Sequence, residues 1–87
     1  MSYSIVWSDP ALEQLADEYL AARADGRGRE FSQAVDGLEA NLSRDPTAQG
    51  ESRSEPFRVV YELPANLLYR VDEVGKKVVI LAVRYLP

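Results

Sequence analysis

The stretch Phe57 to Tyr85, FRVVYELPANLLYRVDEVGKKVVILAVRY, decides the fold. Phe57, Val59, Tyr61 and Leu63 alternate with Arg58, Val60 and Glu62, the period of two that marks a half-buried strand. Pro64-Ala65-Asn66 turns the chain, and Leu67, Tyr69 and Val71 then alternate with Leu68, Arg70 and Asp72. Glu73 to Lys76, with Gly75, supplies a second tight turn. Val78 to Val83 is apolar at every position. Such a run suits a central strand buried on both faces, or one that pairs with both neighbours and also meets a partner. The stretch therefore predicts a meander of three antiparallel strands.

Upstream, Tyr3, Ile5 and Trp7 alternate with Ser2, Ser4 and Ser8, which predicts a further strand at a sheet edge. Asp9-Pro10 reads as a helix start, with Asp9 capping free N–H groups and proline in the first turn. Leu12, Leu15, Ala16, Tyr19 and Leu20 form one apolar stripe, and Phe31, Ala34, Val35, Leu38 and Leu42 form another beyond the Gly26/Gly28 break. Both stripes are expected to face the core. Gly37, inside the second helix, is expected to mark close contact with the first. Asp45-Pro46 ends that helix, and Thr47 to Pro56 reads as a solvated connection. The fold class is α+β: an N-terminal strand, a helical hairpin and a three-stranded meander, in one domain over residues 1–87.

Composition narrows the chemistry. The chain has neither cysteine nor histidine, so thiolate catalysis, zinc ligation by these groups and histidine acid–base chemistry are excluded. No metal or other cofactor is expected. No apolar run approaches the roughly 20 residues that span a bilayer, and Met1-Ser2-Tyr3-Ser4 lacks a basic start, so a cytoplasmic, membrane-free protein is expected. Net charge is −4, with nine acids against four arginines up to Asp45 and five acids against six bases thereafter. An anionic ligand would be drawn to the C-terminal half.

If Phe57, Val59 and Tyr61, Tyr69 and Val71, and Val79, Leu81 and Val83 face the core, parity gathers Arg58, Arg70 and Arg84 on the opposite face. Two readings of that trio stay open: solvated charges balanced by Glu62, Asp72 and Glu73, or an anion-binding surface using bidentate guanidinium contacts. Arg53 is a loop arginine that would join the anion site. Lys76-Lys77 reads as a solubilising pair at a turn.

The order of these elements in a cysteine-free chain resembles the RelE/ParE superfamily of toxins from type II toxin–antitoxin modules. Ile5-Val6-Trp7-Ser8 before an acidic helix start resembles their first strand and helix, and Pro46 with Gly50 their loop after the second helix. Leu67-Leu68-Tyr69-Arg70-Val71-Asp72 and Ile80-Leu81-Ala82-Val83-Arg84-Tyr85 resemble their last two strands. The resemblance implies a cognate antitoxin as partner, laid over the helical hairpin and along a sheet edge, and either ribosome-bound mRNA or DNA gyrase as target. A second copy of the chain is a further partner under this reading. For the ribosome-dependent members it implies catalysis by basic sheet residues and a C-terminal acid, which would assign Arg58, Arg70 and Arg84 as cationic groups and Glu55 or Tyr85 to proton transfer. The chain departs from that pattern at Asn66, where the family carries its catalytic arginine, and at Leu86-Pro87, which end the chain in place of the acid and its neighbour. The expected activity is therefore growth inhibition by target binding. A ribosome-dependent mRNA interferase and a non-toxic interaction module are the alternatives.

Overall fold

The computed structural model describes residues 2–49, 51–52 and 56–87. Strand β1 (Ser4–Trp7) leads into helices α1 (Asp9–Ala24) and α2 (Gly28–Arg44), followed by β2 (Glu51–Ser52), β3 (Phe57–Glu62), β4 (Ala65–Asp72) and β5 (Lys77–Tyr85). The strands form one sheet in the order β1-β5-β4-β3-β2. Only the β1–β5 pair is parallel, so the expected α+β architecture, with its antiparallel meander, is the one observed. The short β2 adds an edge strand within the segment read as solvated connection, pairing Glu51 with Val59 and Ser52 with Arg58.

Both helices lie on one face of the sheet. All five residues of the α2 stripe, Phe31, Ala34, Val35, Leu38 and Leu42, are buried there. They meet Val60, Ala65, Leu67, Tyr69, Val78, Ile80, Val83 and Tyr85 from the sheet, with Ile5, Trp7 and Leu15 packed at the margin. Ser43 at the end of α2 holds β1 in place: Tyr3 N donates to Ser43 O at 2.7 Å, and Ser43 Oγ donates to Tyr3 O at 2.9 Å.

Helix α1 departs from the expected reading. Its buried residues are Ala11 and Ala22, whereas Leu12, Tyr19 and Leu20 are 49%, 38% and 59% exposed. The helix runs beside β5, where Gln14 and Glu18 find uses for their polar ends. Gln14 Oε1 accepts from Val83 N at 3.1 Å, and Glu18 Oε1 accepts from Tyr85 N at 3.0 Å. β1 has ended by then, its last register pair being Trp7 with Ile80. Two acceptors four apart on a helix, about 6 Å, thus match two strand N–H groups about 6.7 Å apart. The helix cap also moves by one residue, since Ser8 Oγ accepts from Ala11 N and Asp9 is already helical.

Strand parity is the second departure. Register pairs Arg58 with Tyr69 and Val60 with Leu67, so Arg58, Val60 and Glu62 face the helices while Phe57, Val59 and Tyr61 face away. In β5, a one-residue bulge separates the Leu68–Ala82 pair from the Tyr69–Ile80 pair, which leaves Leu81 without a partner opposite. The bulge explains why Val78 and Ile80 share the buried face with Val83 and Tyr85, although strict alternation would divide them.

Tyr69 anchors the loop after α2. Its ring is fully buried, and its hydroxyl lies 2.8 Å from Pro46 O and 2.9 Å from Gln49 O. Burial pushes the phenol pKa up, against the opposing effect of Arg58, so it remains a proton donor. Tyr69→Phe should lower stability by about 1–2 kcal/mol in urea unfolding, because it leaves the two carbonyls without that donor. A loss near zero would mean that water replaces the hydroxyl.

Gly37 does not mark a helix–helix contact. A Cβ there would come within 2.7 Å of Glu62 Oε2, the mobile end of an exposed side chain on β3. Gly37→Ala is therefore expected to raise stability by up to about 1 kcal/mol through helix propensity as Glu62 swings aside. A lower melting temperature would show that the glycine is needed for packing.

Candidate functional site on the open face of the sheet

The face turned away from the helices is built by alternation. Register places Val6 beside Val79, Val79 beside Arg70 and Arg84 beside Asn66, and Phe57 beside Arg70 and Tyr61 beside Asn66. One row across the sheet reads Val6, Val79, Arg70, Phe57. Another reads Ala82, Leu68, Val59, and a third reads Arg84, Asn66, Tyr61. The face is thus an apolar strip with an arginine and an aromatic ring at each end. Phe57 is 37% and Tyr61 50% exposed. Asn66 and Arg70 are four residues apart on β4, so the two arginine-bearing rows lie about 13 Å apart.

Arg84 extends into water with its side chain 72% exposed, and its Nε lies 3.8 Å from Glu18 Oε1. That long, solvated pair contributes little to stability and leaves most guanidinium donors available. Asp72 faces Lys77 across the β4–β5 pair, while its Oδ1 accepts from Gly75 N in the adjoining turn.

The predicted site residues do not converge. Arg70 and Arg84 share the open face, but Arg58 lies on the opposite one, where its Nε donates to Gln49 O at 3.3 Å. The parity expectation for Arg58 is thereby corrected. Two adjacent valines, Val59 and Val60, offer either face an apolar residue, and β3 resolves the choice by placing Val60 against Leu67.

Tyr85 also lies on the helix side. Its ring meets Phe31 edge-on at 5.9 Å, and its hydroxyl donates to Asp25 Oδ2 at 2.7 Å. The Asp25 carboxylate holds the phenol pKa above its usual value, burial adds to this, and Arg27 opposes it. Arg53 and Glu55 lie outside the described residues.

Among the described residues, the open face assembles no acid–base pair around Arg70 and Arg84. Guanidinium groups supply bidentate contacts to phosphate or carboxylate, and exposed rings supply stacking surfaces. Phe57 and Tyr61, expected in the core, are the contributors that sequence parity missed. Among the described residues no group of acidic side chains could hold a metal ion, and no helix is long and apolar enough to cross a membrane.

Stability separates the arginines. Arg58→Ala should cost about 1 kcal/mol through its lost bond to Gln49 O, and Arg84→Ala should change stability by less than about 0.5 kcal/mol. Equal losses in chemical denaturation would contradict the assignment of the two residues to different faces.

No protein-family model matches the sequence, and no curated protein matches it. Among solved structures, the chain is similar to one in the toxin–antitoxin complex RelBE2 from Mycobacterium tuberculosis, with 25% identity, a TM-score of 0.69, and 98% of this chain and 99% of that chain covered. A chain of the chromosomal ParDE toxin–antitoxin system of P. aeruginosa superposes with a TM-score of 0.75 at 18% identity, covering 99% and 98% of the two chains. The free E. coli toxin RelE, as a double arginine-to-alanine mutant, gives 0.65 at 15% identity, with 98% and 84% covered. Along nearly its whole length, the chain has the fold of these RelE- and ParE-type structures.

Proposed function

We propose that this chain is the toxin of a type II toxin–antitoxin module, arrests growth by binding a macromolecular target through the open face of its sheet, and is silenced by a cognate antitoxin. The observation that carries the reading is the arginine–aromatic face on a fold that matches chains of two toxin–antitoxin complexes over 98% and 99% of this chain. Binding is favoured over cleavage because Arg58 and Tyr85 are engaged on the helix side, with Gln49 O and Asp25 respectively. Asn66, beside Arg84 on the open face, is a neutral amide that neither takes up nor delivers a proton near pH 7. Acid–base cleavage of RNA would need both a base and an acid beside the cations.

A ribosome-dependent interferase is the second reading, and the exposure of Arg84 favours it. An attacking 2′-hydroxyl and its phosphate would find a cation there.

Induced expression in a bacterial host tests the proposal. Growth should stop, and the Arg70→Ala/Arg84→Ala double variant, still folded, should restore colony formation at least about tenfold. Normal growth with soluble wild-type protein would refute the toxin reading. After arrest, mRNA cut on ribosomes would establish the interferase instead, and gyrase-dependent DNA breaks would identify the target as gyrase.

A further inference from the structure

Gln14 and Glu18 do the same backbone work one turn apart on α1. Gln14 Oε1 accepts from Val83 N at 3.1 Å, and Glu18 Oε1 accepts from Tyr85 N at 3.0 Å. The neutral amide at position 14 shows that this edge of β5 needs an acceptor and not a charge. The negative charge at position 18 is therefore surplus to the fold. The group it meets is Arg84, whose Nε lies 3.8 Å from the same Oε1.

That pair is poor as a stabilising device, being longer than a hydrogen bond, with the arginine side chain 72% exposed. Its geometry matters to a ligand instead. A solvated carboxylate swings away from an arriving anion, but the Glu18 side chain is only 25% exposed, and turning away would leave Tyr85 N without its acceptor. An anion seated on Arg84 would lie roughly 6 Å from this fixed charge, where repulsion between unit charges in water amounts to about threefold in affinity. Asp17 lines the same recess of about 290 Å³, with Gln14, Glu18, Val83, Arg84 and Tyr85. Two carboxylates against one guanidinium leave the recess net negative. A ligand that carries an ammonium beside its anionic group meets both signs there, and the Glu18 carboxylate can accept a hydrogen bond from it.

We propose that Glu18 sets the specificity of the Arg84 end of the open face, selecting an anionic group carried beside a cation over an isolated anion. The inference rests on the reading of Arg84 as a target-binding group, since the carboxylate discriminates only among groups that arrive there.

NMR titration of the full chain, following backbone amides and the arginine Nε–H groups, tests this with ethyl phosphate and phosphoethanolamine. At about pH 7.5 both phosphates carry close to two charges, and only the second ligand adds an ammonium. The wild type should bind phosphoethanolamine at least about threefold more tightly. Glu18→Gln keeps an acceptor for Tyr85 N, so that amide should stay protected from exchange, while affinity for ethyl phosphate rises at least about threefold and the preference disappears. Asp36→Asn removes an equal charge from an exposed position on α2 and should leave both affinities within about 1.5-fold. Equal binding of the two ligands by the wild type, or a preference that survives Glu18→Gln, overturns the proposal while leaving Arg84 as an anion site. An absence of shifts at Arg84 with either ligand, or shifts on β5 that persist in Arg84→Ala, refutes the reading of Arg84 and the proposal with it. Normal growth on induced expression with the preference intact refutes the toxin reading alone.

Discussion

Strand β5 has two edges whose backbone groups must be satisfied, and the way this is done sets the rest of the molecule. β4 takes one edge along its length, from Lys77 to Tyr85. β1 takes the other only as far as Ile80, after which Gln14 and Glu18 supply acceptors to Val83 N and Tyr85 N. An unpaired buried N–H costs as much as a lost hydrogen bond, so α1 must run beside β5 with this register. With that register Ala11 and Ala22 are the residues of α1 that are buried, and Leu12 and Tyr19 line the groove between the two helices. The helix thereby completes an edge that could otherwise accept a foreign strand.

Much of the architecture was legible because its signals were periodic. The α2 stripe and the second meander turn, Glu73 to Lys76, agree with the structure, since propensity and burial point the same way there, whereas the first turn falls at Leu63-Pro64 and Ala65 and Asn66, read as turn, already belong to β4. The assignments that differ depend on long-range partners. Leu12, Tyr19 and Leu20 form a helical stripe indistinguishable in sequence from a core stripe, and only the demands of Val83 and Tyr85 show why alanines face inward. The face of β3 was ambiguous because Val59 and Val60 are adjacent, and the bulge at Leu81 shifts the β5 pattern without a residue that announces it. A spacing of eleven between Ala11 and Ala22, three helical turns, was the available signal for the true inner line of α1.

The same parity governs the candidate site. Alternation puts Arg70 and Arg84 with Phe57 and Tyr61 on the face turned away from the helices, while Arg58 and Tyr69 meet at Gln49 O beneath the sheet. One pair of guanidinium groups is thus available to a ligand, and one is committed to holding a loop. The helical hairpin, on the other side, offers a surface of different character, apolar and acidic.

Because the chain has no cysteine, single replacements report the two faces without background. Native-state thiol labelling of Tyr61→Cys, Arg84→Cys, Val60→Cys and Leu67→Cys variants tests the parity most directly. The first two should react at rates near those of an unfolded peptide, and the last two only as fast as the protein opens. Rapid labelling at Val60→Cys with protection at Tyr61→Cys would reverse β3, return Arg58 to the open face, and contradict the account.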